Sequence, residues 1–181
     1  MDPIRDLIER KLTRAEVEQV WTIDRAEVID AIFYFENGGL VLKPEHYDMR
    51  GWPSGEPERN TPFLYDCFDQ GGWFYGLFDR DQLVGVAILE ADFIGREKDQ
   101  LQLRFLHVSR DYRKQGLGGL LFERSVDRAR QLGARQLYIS ATPSENTVNF
   151  YLNLGCQVAT EPDPALFEFE PEDIHLVYDL W

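Results

Sequence analysis

The stretch from Leu101 to Ala141 sets the tightest limit on what this chain can fold into. Leu101 to Val108 reads as a strand. A helical pattern carried by Phe122, Val126, Ala129 and Leu132 stops at Gly133, and Gln136 to Ala141 reads as a strand again. Strand, helix and strand at this length form a right-handed crossover, so these two strands lie parallel. The segment before them is a meander: Trp73 to Phe78, a turn at Asp79-Arg80-Asp81, then Leu83 to Leu89. After them, Thr142-Pro143-Ser144-Glu145 has the form of a capping box with Pro at its first helical position. It opens a helix that runs to Leu154 before Gly155, with further strands near Cys156 to Ala159 and Ile174 to Leu180.

The N-terminal third reads differently. Ile4, Leu7, Ile8, Leu12, Val17 and Val20 recur at three- and four-residue spacing, which predicts one or two helices between Asp2 and Asp24 with a break near Thr13. Val28 to Phe35 and Leu40 to Leu42 flank Asn37-Gly38, a strong hairpin signal. Pro44, Gly51, Pro53, Gly55 and Pro57 predict a long loop over 44–61, and Thr61-Pro62 a short helix to Gln70.

A chain of 181 residues with 44% apolar and 13% aromatic residues can bury one core, so a single domain over 1–181 is expected. The formal charge of −13 repels nucleic acid and anionic lipid and attracts cations. Cys67 and Cys156 suggest neither a disulfide framework nor a zinc site, and no His or carboxylate spacing suggests another metal. With no signal-peptide pattern and no apolar run long enough to span a bilayer, the expected location is the cytoplasm, with no membrane partner. The hairpin at 28–42 offers apolar surface on which a homodimer is conceivable.

Chemistry concentrates in Arg113-Lys114-Gln115-Gly116-Leu117-Gly118-Gly119, between a strand and the first turn of a helix. Glycines let the backbone approach a ligand closely, and amides at a helix N-terminus attract anions, so phosphate is the expected guest. The stretch lacks the third glycine of a dinucleotide fingerprint and the Gly-Lys-Ser/Thr of a Walker loop. It does match Arg/Gln-x-x-Gly-x-Gly/Ala, preceded by Leu106-His107-Val108 and followed by Phe150-Tyr151-Leu152-Asn153-Leu154-Gly155-Cys156. Together these resemble the GNAT superfamily of acetyl-CoA-dependent N-acyltransferases over roughly residues 73 to 160.

That resemblance implies an α/β fold: a mixed, mostly antiparallel sheet of about seven strands, splayed at a central parallel pair and flanked by helices. It implies that the amides of Gln115 to Gly119 hold the pyrophosphate of coenzyme A, with Leu106, His107 and Val108 pairing the pantetheine arm as an added strand. Arg113 and Lys114 would add charge near the phosphates. Tyr151 matches the family's proton donor to the departing thiolate, and thiol and phenol pKa values of about 8.5 and 10 suit that transfer. Ser144 stands where the family often has an Asn, and Asn146 is the nearby substitute for that coenzyme contact.

The attacking amine must lose a proton, yet Gln102 and Arg104 occupy positions where several members carry a base. Glu90 ranks first among the alternatives, ahead of Asp92, His107, Glu168 and Glu170. The function so implied is acetyl transfer from acetyl-CoA to a primary amine, either a small cationic amine or a protein amine. The alternative is a binding module that kept the cleft and lost turnover.

Overall fold

The computed structural model describes residues 6–181, and Ile4 of the predicted N-terminal helix lies outside them. A seven-stranded sheet runs in the order β1-β4-β5-β6-β7-β9-β8, where β1 is Leu7–Lys11, β4 Trp73–Asp79, β5 Gln82–Ile94, β6 Gln100–Val108, β7 Gln136–Ala141, β8 Gln157–Val158 and β9 Ile174–Asp179. A separate two-stranded sheet holds β2 (Glu27–Glu36) and β3 (Gly39–Met49). The helices are α1 (Glu56–Asp69), α2 (Leu117–Gln131), α3 (Glu145–Asn153) and α4 (Pro164–Phe169). β6 and β7 pair in parallel, Gln100 to Gln102 against Gln136 to Tyr138, as the crossover reading requires. β1 with β4, β4 with β5, β7 with β9 and β8 with β9 are all antiparallel.

The chain divides into two compact units. One comprises the segment up to Glu27, Met49–Asp92 and Leu103–Arg128; the other comprises Val28–Asp48, Phe93–Gln102 and Ala129–Trp181. In the first, Leu12, Val17, Val20, Ile23, Leu64, Phe74, Phe78, Leu83, Val86 and Ile88 form a buried cluster against which Trp21 and Trp52 pack. In the second, Leu137, Tyr138, Ile139, Val148 and Leu176 are almost fully buried. There the backbone of Phe33 on β2 donates to Pro143 O just before α3 (2.7 Å).

Several expectations are corrected. The predicted N-terminal helix is a strand followed by a 3-10 helix, Arg14–Thr22. Leu7 to Lys11 gain a complete ladder with Asp79 to Tyr75, which a helix at a sheet edge would forgo. Val17, Val20 and Ile23 are buried at a spacing of three, the period of a 3-10 helix. Thr13 opens that helix through a capping box, its N–H donating to Glu16 Oε2 at 2.8 Å.

The long loop over 44–61 shrinks to residues 50–55, because β3 continues through Pro44 to Met49 and α1 begins at Glu56. Gly55, at φ 77°, starts that helix, and Pro62 lies inside it; the exposed stretch around Glu58 lets water replace the missing donor. The side chain that caps α3 is Ser144, whose Oγ accepts from Thr147 N, so the helix starts two residues later than the Thr142 reading placed it. Helix α4 was not foreseen. Asp163 caps it, accepting from Ala165 N and Leu166 N at 3.1 Å, with Pro164 in its first turn.

Candidate active site

Between β6 and α2 the backbone twice enters the left-handed region, at Lys114 (φ 59°) and Gly116 (φ 81°). The second is natural for glycine, whereas the first strains a residue with a side chain. The first intrahelical bond of α2 runs from Leu120 N to Gly116 O at 3.0 Å, so the amides of Leu117, Gly118 and Gly119 precede the ladder and have no carbonyl behind them within the helix. A Cβ built at Gly116 or at Gly119 meets no atom within 4 Å, so open space adjoins this helix start. Amides, dipole and space together fit an anionic group such as a pyrophosphate.

The flanking side chains are placed as follows. Leu106, His107 and Val108 sit half-buried at the end of β6, and Lys114 is exposed. Gln115 Nε2 donates to Asp111 O at 3.3 Å. Arg113 turns its guanidinium onto the backbone, its Nε reaching Val108 O at 2.9 Å. Ser109, missed in the sequence reading, is buried; its N–H donates to Val84 O (2.8 Å) and its Oγ accepts from Asp24 N (2.9 Å). No sequence spacing connects Ser109 with Asp24, so only the folded chain could disclose that pair.

The base candidates in this unit differ sharply. His107 lies against Trp52 (ring centroids 5.0 Å apart) and Phe105 (5.5 Å). Burial, reinforced by the positive charges of Arg25 and Arg113, pushes its pKa down to about 3. That imidazole is neutral at pH 7 and a weaker base than an ordinary histidine. Glu90 accepts from Arg104 Nη1 at 2.5 Å, both side chains about a quarter exposed. The buried Cys67 thiol is pushed up, first by burial and then by the neighbouring Glu90 carboxylate.

In the second unit, Tyr151 is buried on α3, its ring 5.0 Å from that of Phe150 in an edge-on contact. Burial raises the phenol well above its ordinary value, with a smaller contribution from Cys156. The group therefore carries its proton throughout the neutral range. Cys156 is itself pushed up to about 12 by burial. Asn146 stands exposed in the first turn of α3. Glu168 is in α4, and Glu170 closes it, its carbonyl bonded to His175 Nε2 at 3.0 Å.

Known proteins share the fold. No curated protein matches the chain by sequence. Among solved structures, a nourseothricin acetyltransferase superposes with a TM-score of 0.69 at 16% identity, covering 97% of this chain and 99% of that one. A structure from Bacillus anthracis strain Ames, assigned as a streptothricin acetyltransferase and in complex with acetyl coenzyme A, gives 0.68 at 12% identity over 96% and 98%. The ribosomal-protein-S18-alanine N-acetyltransferase of Escherichia coli gives 0.58 at 17% over 96% and 94%. The acetyltransferase (GNAT) family model matches residues 41–156, a span containing the glycine turn, β7 and Tyr151. The chain thus belongs to the GNAT acetyltransferase family and is an acyltransferase with acetyl-CoA as its cosubstrate.

Proposed function

We propose that this protein transfers the acetyl group of acetyl-CoA directly to a primary amine, the acceptor being a small cationic amine or a protein amine. The observation that carries the reading is the open start of α2, where left-handed Gly116 and the clear space at Gly116 and Gly119 fit the pyrophosphate of the coenzyme. In this reading the amides of Gln115 to Gly119 hold the phosphates, Lys114 adds charge, and the edge of β6 at Leu106 to Val108 lies along the pantetheine arm. Asn146 serves as the additional coenzyme contact in place of the usual Asn.

Acetyl-CoA supplies the thioester that an amine attacks. Tyr151 holds the proton for the departing thiolate, a role taken from the family resemblance. Glu90 is the proposed proton acceptor for the amine, through water. Direct attack is favoured over an acyl-enzyme because both thiols, Cys67 and Cys156, are buried with their pKa values raised.

The charge of −13 favours a cationic acceptor. Among the neighbours, the names of a nourseothricin and an S18-alanine acetyltransferase span antibiotic and protein acceptors. The family match runs through segments of both units, which supports reading 1–181 as one acetyltransferase domain. Two free buried cysteines suit a reducing, cytoplasmic setting, and among the described residues no helix is long and apolar enough to cross a membrane.

The test is calorimetric titration with acetyl-CoA and with desulfo-CoA, followed by thiol release against a panel of amines. Coenzyme binding with amine-dependent thiol release is expected, and Glu90→Gln should slow release without weakening coenzyme binding. Release that proceeds equally without any amine would overturn the proposed acceptor class.

A further inference from the structure

Arg113 occupies the leading basic position of the glycine motif, where charge beside phosphate is the expectation. Its hydrogen bonds go elsewhere. Nε donates to Val108 O (2.9 Å), Nη1 to Ala26 O (2.8 Å) and Nη2 to Asp24 O (2.9 Å), so three edges of the guanidinium fork grip three carbonyls, two of them 87 and 89 residues upstream. The Asp24–Ala26 segment is held from the same side twice more, by Ser109 Oγ accepting from Asp24 N and by Arg110 N donating to Asp24 O at 3.0 Å. Its far end is fixed by Trp52 Nε1 donating to Ile23 O at 3.0 Å. Next to Arg113, the Tyr112 hydroxyl donates to Asp79 Oδ2 at 2.6 Å.

These ties fix the Asp24–Ala26 segment and the side chains of Tyr112 and Arg113, the two residues that immediately precede Lys114. A non-glycine residue at φ 59° costs on the order of 1 kcal/mol and persists only when its surroundings hold it there. A guanidinium is suited to such holding because its donors are planar and rigidly spaced, which an ammonium cannot reproduce. The directions of the amides after Lys114 depend on that dihedral, so whatever holds Lys114 aims the anion cradle.

We propose that Arg113 is a positioning residue for the coenzyme turn: it straps the Asp24–Ala26 segment to the end of β6 and thereby sets the geometry of Lys114 to Gly119, without itself holding phosphate. This rests on the reading of that turn as the coenzyme site. The role is one of shape and not of charge.

The deciding comparison is between Arg113→Lys, which keeps the charge and loses the fork, and Arg113→Gln, which loses both. Acetyl-CoA binding is measured by calorimetry, and amide hydrogen exchange is measured on the free protein. Both variants should lose acetyl-CoA affinity alike, by roughly tenfold or more, and both should lose protection at residues 24–26 and 109–116. Ser109→Ala, which removes the acceptor for Asp24 N and leaves every charge in place, should weaken binding in the same direction by several-fold and serves if the Arg113 variants do not fold. Arg113→Lys binding like wild type while Arg113→Gln does not would overturn the strap in favour of a charge contact. Wild-type protein that binds no acetyl-CoA would overturn the reading of the turn and this role with it. That outcome is told apart from failure of the strap alone by the exchange data, which need no ligand.

Discussion

Helices α2 and α3 begin in opposite ways. α3 starts at Ser144, a buried residue whose Oγ accepts from Thr147 N, so part of its N-terminal demand is met by the chain. α2 starts at Gly116, which has no side chain to offer, and open space lies where side chains at Gly116 and Gly119 would stand. The difference separates a helix start built for stability from one left for a ligand, since an amide already bonded within the chain has little to give an anion. The two starts therefore serve different ends. On the proposed reading the open one receives the coenzyme, and the closed one carries Tyr151 at a settled position two turns further on.

Four experiments would break or sharpen that contrast. The largest effect is expected on the capped helix, where Tyr151→Phe should lower kcat roughly 10²-fold or more while leaving the Kd for acetyl-CoA nearly unchanged. An equal loss in both quantities would mean that the phenol binds rather than donates. Gly116→Val should weaken acetyl-CoA binding roughly a hundredfold, about 2.7 kcal/mol, because a β-branched residue both strains φ 81° and enters the space over the amides. Unaltered affinity by calorimetry would make the glycine turn merely structural.

The third effect concerns His107 on the strand leading into the open start. Unfolded, its imidazole takes up a proton near pH 6.5, but folded it does so only near 3. Between those values the unfolded state binds the extra proton, so the native state loses stability as pH falls, by up to about 1.4 kcal/mol per pH unit. Urea unfolding at pH 6.5 and 5.5 should show a loss of about 1 kcal/mol over that unit, and His107→Phe should flatten the slope accordingly. The smallest effect lies at the closed start: Ser144→Ala should cost about 1 kcal/mol in thermal unfolding and Ser144→Gly only a few tenths. A larger glycine penalty would show that the Ser144 side chain stabilises the protein mainly through contacts other than its cap.

The contrast between the two starts also marks how far the sequence could be read. The glycine turn was legible because Gly116, Gly118 and Gly119 act through local backbone freedom, which a short motif encodes in full. The crossover was legible because Gln136 to Ala141 and the α2 pattern are bounded by clear punctuation at Gly133. The cap of α3 was displaced by two residues because Thr142 and Ser144 both suit the role, and the choice fell to β2, whose Phe33 N–H takes the Pro143 carbonyl. α4 carried a local Asp163-Pro164 signal that was overlooked beside its acidic neighbours. His107 was readable as a titratable group but not as a neutral one, since its pKa is set by Trp52, Arg25 and Arg113 brought around it.

By itself, then, the sequence determined the α/β class, the parallel pair, the glycine turn and the tyrosine helix, because each depends on residues close together along the chain. Tertiary structure decided the rest. Leu7 to Lys11 became a strand only because β4 offered an edge, and Pro62 could lie inside α1 only because the stretch around it faces water. Arg113 became a strap only because Asp24 and Ala26 came within reach of its guanidinium. Local preferences along a chain are worth about a kilocalorie or less per residue, and a ladder of hydrogen bonds or a fork of charge-assisted ones from distant segments outweighs them.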